Sequence, residues 1–235
     1  DKAIFGYGWT GGSTSLSNLV SNSGVVATDV TGVGTVRRLL AATGYGGDKA
    51  IFGYGHAAYS MTNLVSSVGV ISSDVTGVGT GRYALAAAGY GTDKAIFGYG
   101  DTGSPNAMTN LVSNVGVVGT DVTGVGTARV NLAAAGYGGD KAIFGYGYTS
   151  TFVSLTNLVS NSGVVAADVT GVGTARYILT AASYGGDKAI FGYGDASGDL
   201  SMTNLVSSSG VVASDVSGVG TARYGPAAAG YSTSA

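Results

Sequence analysis

The chain has 235 residues, 43 of them glycine, with 45% hydrophobic and 10% charged residues and a formal net charge of −2. That length supports one domain with a sizeable core, while the absence of any basic run argues against a nucleic-acid partner. The absence of cysteine excludes disulfides and thiolate metal sites, and no apolar run is long enough for a membrane-inserted helix.

Glutamate and glutamine are absent and Gly, Val, Thr, Ala and Tyr abundant, which favours strands and turns over helices. The sequence opens at Asp1 without methionine or leader, so a processed chain or a segment of a longer one is expected. The octapeptide Asp-Lys-Ala-Ile-Phe-Gly-Tyr-Gly starts at Asp1, Asp48, Asp93, Asp140 and Asp187, with spacings of 47, 45, 47 and 47 residues. Five repeats, 1–47, 48–92, 93–139, 140–186 and 187–235, are therefore expected to build one domain.

Each repeat opens with Lys-Ala-Ile-Phe-Gly-Tyr-Gly, whose nearly continuous apolar character predicts a strand covered on both faces. A variable loop follows, then Asn-Leu-Val at Asn18, Asn63, Asn110, Asn157 and Asn204. Next come Gly-Val-Val/Ile, Asp-Val-Thr/Ser-Gly-Val-Gly-Thr, an Arg, and an Ala-rich stretch. Around the third copy the expected strands are Met108–Asn114, Val117–Val122, Arg129–Tyr137 and Lys141–Gly147. Four strands per repeat at this period predict an all-β, five-bladed β-propeller of four-stranded blades. The Ala-rich strand belongs at the crowded axis. The C-terminal inner strand, Tyr224–Tyr231, is expected to pair with Asp1–Gly8 and close the ring, leaving no free sheet edge.

Taken cyclically, the Arg, Ala-Ala-Ala-Gly-Tyr, Asp-Lys-Ala-Ile-Phe-Gly-Tyr-Gly and Thr-Asn-Leu-Val segments resemble kelch-type repeats over the whole chain. They look most like the kelch-like repeats in structural and tail proteins of tailed bacteriophages, marine ones especially. The chain departs from the kelch pattern in having Gly-Tyr-Gly where paired glycines stand and no repeated tryptophan, Trp9 being the only one. The resemblance implies a virion or extracellular component.

Charges follow the repeat closely. Of 11 basic residues only Arg38 falls outside it, and of 13 acidic ones only Asp101, Asp195 and Asp199 do. A residue present once per blade reads as a fold element. Each repeat Arg is expected to pair with the Asp eight positions earlier, across the glycine turn: Asp29 with Arg37, Asp74 with Arg82, Asp121 with Arg129, Asp168 with Arg176 and Asp215 with Arg223. The sharper alternative is five Arg at a channel mouth holding an anion. Gly-Val-Gly-Thr reads as a turn because neither a Lys-Ser/Thr nor a helix follows, as a phosphate loop requires. Calcium-binding Gly-Asp repeats recur about every nine residues, unlike this period. His56 has no second His, Cys or Glu to share a metal or form a triad. No catalytic residue, metal or cofactor is expected, and the chain is read as a non-enzyme, with a propeller hydrolase as the least favoured alternative.

Variation between copies falls in two places, the loop after Phe-Gly-Tyr-Gly and the residues after the Arg. An up-and-down trace puts both on one face. The candidate binding residues there are Trp9, His56, Tyr59, Asp101, Asn106, Tyr148, Phe152, Asp195 and Asp199 from the loops, with Arg38, Tyr83, Asn131, Tyr177 and Tyr224 from the second patch. Aromatics beside polar groups on a rigid scaffold suit a glycan or surface-protein partner. The expected function is a virion or adhesion module recognising such a partner. The alternative is a structural unit packed against neighbouring virion subunits.

Overall fold

The computed structural model describes residues 2–230. It is all strand and turn, with five antiparallel sheets in chain order. The first unit has two strands, β1 (Ala3–Trp9) and β2 (Ser13–Val20). The second has β3 (Ala41–Tyr45), β4 (Lys49–Gly53) and β5 (Thr62–Val65), and the third has β6 (Ala86–Tyr90), β7 (Lys94–Gly98) and β8 (Thr109–Val112). The fourth has β9 (Ala133–Tyr137), β10 (Lys141–Gly145) and β11 (Thr156–Val159), and the fifth has β12 (Thr180–Tyr184), β13 (Lys188–Gly192) and β14 (Thr203–Val206). Each full sheet takes its Ala-rich strand from the end of one sequence repeat and the other two strands from the next. The structural unit is thus offset by one strand from the sequence period.

The four-stranded blade is corrected to three regular strands. Val117–Val122 touches β8 only through the isolated bridges Val112↔Val118 and Thr109↔Val122. The reason is chemical: Asn110 Nδ2 donates to Gly119 O at 3.0 Å and to Asp121 Oδ1 at 3.0 Å, so a side chain occupies the place of a backbone ladder bond. The same Asn-to-Asp bond recurs from Asn63, Asn157 and Asn204.

The core lies between sheets. One buried cluster joins Ile51 and Tyr54 of the second unit to Phe97 and Val112 of the third, and equivalent clusters fill the neighbouring junctions. At each junction the Phe of one unit packs on the Tyr of the unit before, edge-on at three of the four, as Phe97 does to Tyr54 at 5.1 Å and Phe144 to Tyr99 at 5.2 Å. Glycine at position 98 makes this approach feasible, because a Cβ there would lie 2.7 Å from Phe144 Cζ. Strands β3, β6, β9 and β12 run side by side along the inner edge, where their small side chains permit close packing.

The expected ion pairs Asp29–Arg37, Asp74–Arg82, Asp121–Arg129, Asp168–Arg176 and Asp215–Arg223 are corrected as well. Three of the Arg reach forward to an Asp of the next unit instead: Arg82 to Asp121 at 3.8 Å, Arg129 to Asp168 at 3.8 Å and Arg176 to Asp215 at 3.9 Å. Arg37 donates to Met61 O at 2.9 Å and to Asn63 Oδ1. The left-handed glycine at position 79 (φ 78°) swings Thr80 and Arg82 away from Asp74. Thr80 N and Oγ1 then bond Asp121 Oδ2 at 2.9 and 2.7 Å. Asp74 is meanwhile occupied by Thr35 of the previous segment. The guanidinium also stacks on a tyrosine, with Arg129 Cζ 4.2 Å from the Tyr99 ring centre.

Ring closure is the third correction. Among the described residues β1 pairs only with β2, residues 224–230 form no strand, and no hydrogen bond joins the first unit to the last. Asp1 and Tyr231, the outer ends of the expected seam, lie outside the described residues. Phe5 is 56% exposed, whereas its four counterparts are 5% exposed or less. Among the described residues the array is therefore open, with an uncovered surface at each end.

Candidate functional site

The two variable segments are joined physically at three junctions. Tyr83 bridges Asp101, Val130 bridges Tyr148, and Tyr177 bridges Asp195. In the first of these, Tyr83 N donates to Asp101 O at 3.1 Å and Asp101 N to Tyr83 O at 2.8 Å. The loops then fold back on themselves through Asp101↔Pro105, Tyr148↔Phe152 and Asp195↔Asp199.

Two clusters result. In the first, the Arg38 guanidinium lies 4.3 Å over the Trp9 ring, Arg38 Nη2 donates to His56 Nε2 at 3.3 Å, and His56 packs against Tyr83 at 5.4 Å. Trp9 is 58% exposed, so the part of its ring that Arg38 leaves uncovered is accessible to a partner. In the second, Phe152 stacks on Tyr177 at 5.1 Å and 28°, with Tyr148 at 5.8 and 5.7 Å from the two rings. Burial, and the neighbouring Asp101 charge, push the Tyr83 hydroxyl pKa upward.

The other candidates serve mainly their own loops. Asn106 is spent on Gly100 O and Met108 N, both at 3.1 Å. Asp101 accepts from Gly103 N at 2.6 Å and Asp195 from Ser197 N at 3.2 Å, while Asp199 is exposed. Tyr59 supplies a carbonyl to Arg82 N at 3.2 Å. Tyr224 is 60% exposed and outside both clusters.

A backbone ladder beside these clusters was not legible in the sequence. Leu39, Ala84, Asn131 and Ile178 all hold positive φ, between 48° and 54°. Each passes a hydrogen bond to the next unit, Ala84 N to Leu39 O, Asn131 N to Ala84 O and Ile178 N to Asn131 O, all at 2.9 Å. Only Asn131 is a residue type that favours this conformation, so the signal in the sequence is slight. The ladder fixes the spacing at which successive variable segments are displayed.

The opposite ends of the inner strands carry uniform Gly-rich turns around a cavity of about 350 Å³ lined by Tyr45, Tyr90, Tyr137 and by Lys49, Lys94 and Lys141. Each of these lysines pairs with the Asp before it, at 3.3–3.5 Å. Among the described residues no group of three or more His, Cys, Asp or Glu is placed to hold a metal.

No protein-family model matches the chain, and no curated protein does. Among solved structures it is similar to a virginiamycin B lyase from Staphylococcus aureus, a β-propeller, with a TM-score of 0.55 and 11% identity. The fold is propeller-like. The alignment covers 86% of this chain and 62% of that one, so the chain spans less than two thirds of its structural neighbour. This neighbour corrects the expectation of a non-enzyme: an enzyme stands on the same kind of scaffold, so repeat-locked charges are no argument against catalysis. At 11% identity the likeness concerns the fold and transfers no reaction to this chain.

Proposed function

We propose that the array is a recognition module whose variable face binds a glycan or a surface protein, in a virion or an extracellular setting. The observation carrying this reading is that Trp9, Arg38, His56 and Tyr83, all at positions where the repeats differ, converge into one partly open aromatic and cationic cluster on an otherwise uniform scaffold. Such a cluster offers a flat apolar ring, an adjacent donor and low entropic cost on binding, which suits the alternating polar edges and apolar faces of sugars. The Tyr148, Phe152 and Tyr177 cluster supplies a second, more apolar site on the same face. Two weak sites on one rigid body gain affinity by avidity. The kelch-like and phage-tail resemblance of the repeats supports the virion setting.

The test is a glycan array and a cell-surface binding assay, comparing the native chain with one whose five variable loops carry a single common sequence. Binding lost on exchange supports the assignment. Unchanged binding rejects it. A structural unit without ligand is the second reading, favoured by a row of outward valines, Val70, Val117, Val164 and Val211, each 64–66% exposed. It predicts no binding in either assay.

A further inference from the structure

The two ends of the array are complementary halves of an interface that the chain already builds between its own units. Four features define the internal junctions: Phe against Gly, Leu against Gly, Asp on Thr, and Arg on Asn, with the Arg also within 4 Å of the Asp at three of the four. All four are split between the free ends. Phe5 is exposed at the start, while a Cβ at Gly192, the last position of the Gly53, Gly98 and Gly145 series, would meet no phenylalanine. Leu205 is 40% exposed at the end, while Gly24 has nothing within 4 Å; internally Leu64, Leu111 and Leu158 cover Gly116, Gly163 and Gly210.

The polar half is divided the same way. Asp29 is held by Asn18 Nδ2 at 2.8 Å and, among the described residues, receives no bond from a Thr or Arg. Arg223 sits 3.9 Å over Tyr193, as its counterparts sit on theirs, but its only side-chain hydrogen bond among the described residues is to Thr221 O at 2.9 Å. The four counterparts of Arg223 are fully buried, whereas Arg223 is exposed. Among the described residues no inner strand pairs with β1. A cleft of about 940 Å³ stands in that place, lined by Ala3 and Ile4 on one side and Ala42, Thr43 and Gly44 on the other.

We infer that this cleft and end face receive the C-terminal face of a second copy of the chain, in a head-to-tail association. Residues Ala227–Gly230 of the second copy supply the missing inner strand. The register follows from the internal pairs Ala133↔Gly145, Ala134↔Phe144, Ala135↔Ile143 and Gly136↔Ala142, and sets Ala227 opposite Gly6, Ala228 opposite Phe5, Ala229 opposite Ile4 and Gly230 opposite Ala3. A heterologous contact of this kind leaves a free face at each end, so it propagates until the accumulated rotation closes a ring. The variable faces of successive copies then lie in register, because the backbone ladder continues through Gly225, whose N–H already bonds Ile178 O at 2.8 Å.

Light scattering across a dilution series tests this, with two variants that each spoil one end at an exposed position: Phe5→Asp and Leu205→Asp. The native chain is expected to exceed the monomer mass in a concentration-dependent way. Each variant alone weakens association by about 30-fold, the equivalent of one buried side chain of this size. Mixed one to one, the two variants form a dimer and nothing larger, since one copy keeps an intact tail and the other an intact head. A native chain that stays monomeric at every concentration overturns the inference. So does a mixture that stays monomeric while the native chain associates. Protection of the β1 amides from exchange in a strict monomer would assign the seam to the chain's own tail instead. Glycan binding by the monomeric variants is measured in parallel, which separates failure of this association from failure of the recognition role.

Discussion

Replacing Arg129 by Met tests what holds successive units together. The side chain is fully buried, stacked on Tyr99, and bonded to Asn157 Oδ1 at 2.5 Å and Thr127 O at 3.0 Å. Met refills most of the volume but removes a desolvated cation–π contact of about 1–2 kcal/mol and a charged hydrogen bond of about 2 kcal/mol. It also leaves the Asn157 carbonyl buried without its donor. Asp168 is not stranded, because Thr127 N and Oγ1 and Asn157 Nδ2 still bind it and its side chain is 25% exposed. Against the loss stands the recovered cost of burying a guanidinium whose Nε has no partner. The net expectation is about 3 kcal/mol, a fall of about 1.5 M in the urea midpoint for a slope near 2 kcal/mol per M. Arg223→Met at micromolar dilution is the internal control: the same residue change at an exposed end should cost under about 0.5 kcal/mol. Equal shifts for the two variants, or a shift below about 0.3 M for Arg129→Met, would refute the claim that forward-reaching arginines staple the units.

Gly98→Ala should destabilise by about 1–3 kcal/mol, because the new methyl meets Phe144 Cζ; Gly192→Ala, which meets only Thr203 Cγ2 at 3.3 Å, should cost far less in a thermal melt. Burial alone would raise the carboxyls of Asp74, Asp121, Asp168 and Asp215, but hydrogen bonds from Thr and Asn, together with the Arg charge, outweigh it and hold them below the usual range. Their stabilisation is complete above the unfolded value of about 4 and is lost as pH falls through the lower folded value, so acid unfolding should set in below about pH 4. Asp168→Asn should flatten that limb when followed by circular dichroism, and an unaltered slope would contradict the assignment. Burial, despite the nearby arginines, raises Tyr54, Tyr99 and Tyr146 to about 12. Folded values above the unfolded one of about 10 contribute stability below pH 10 that is lost on approaching 12. Tyrosinate absorbance should therefore show three late-titrating rings whose ionisation coincides with unfolding, and ionisation near pH 10 in a folded chain would sink this point.

Much of the architecture is readable from residue order. The octapeptide period, the unbroken apolar run in Lys-Ala-Ile-Phe-Gly and the Ala-rich strand lead directly to β7, β10 and the inner row of β3, β6, β9 and β12. The convergence of both variable segments is also legible, because strand direction alone places them at the same end of a sheet. Arginine partners are not. Asp74 and Asp121 are equivalent in sequence relative to Arg82, eight positions before and 39 after, and only the left-handed turn at Gly79 selects the later one. Nor is the fourth strand legible, since Val117–Val122 has strand-forming residues yet loses its ladder to the Asn110 side chain.

Local pattern therefore determined that the chain makes repeated antiparallel sheets with an apolar face on each side, because strand periodicity and turn chemistry act within a few residues. Whether the first and last units meet depends on a small rotation between sheets, summed over every junction, and no single residue encodes that sum. Tertiary packing decides it, and among the described residues it leaves Phe5 and Leu205 uncovered in the first and last units.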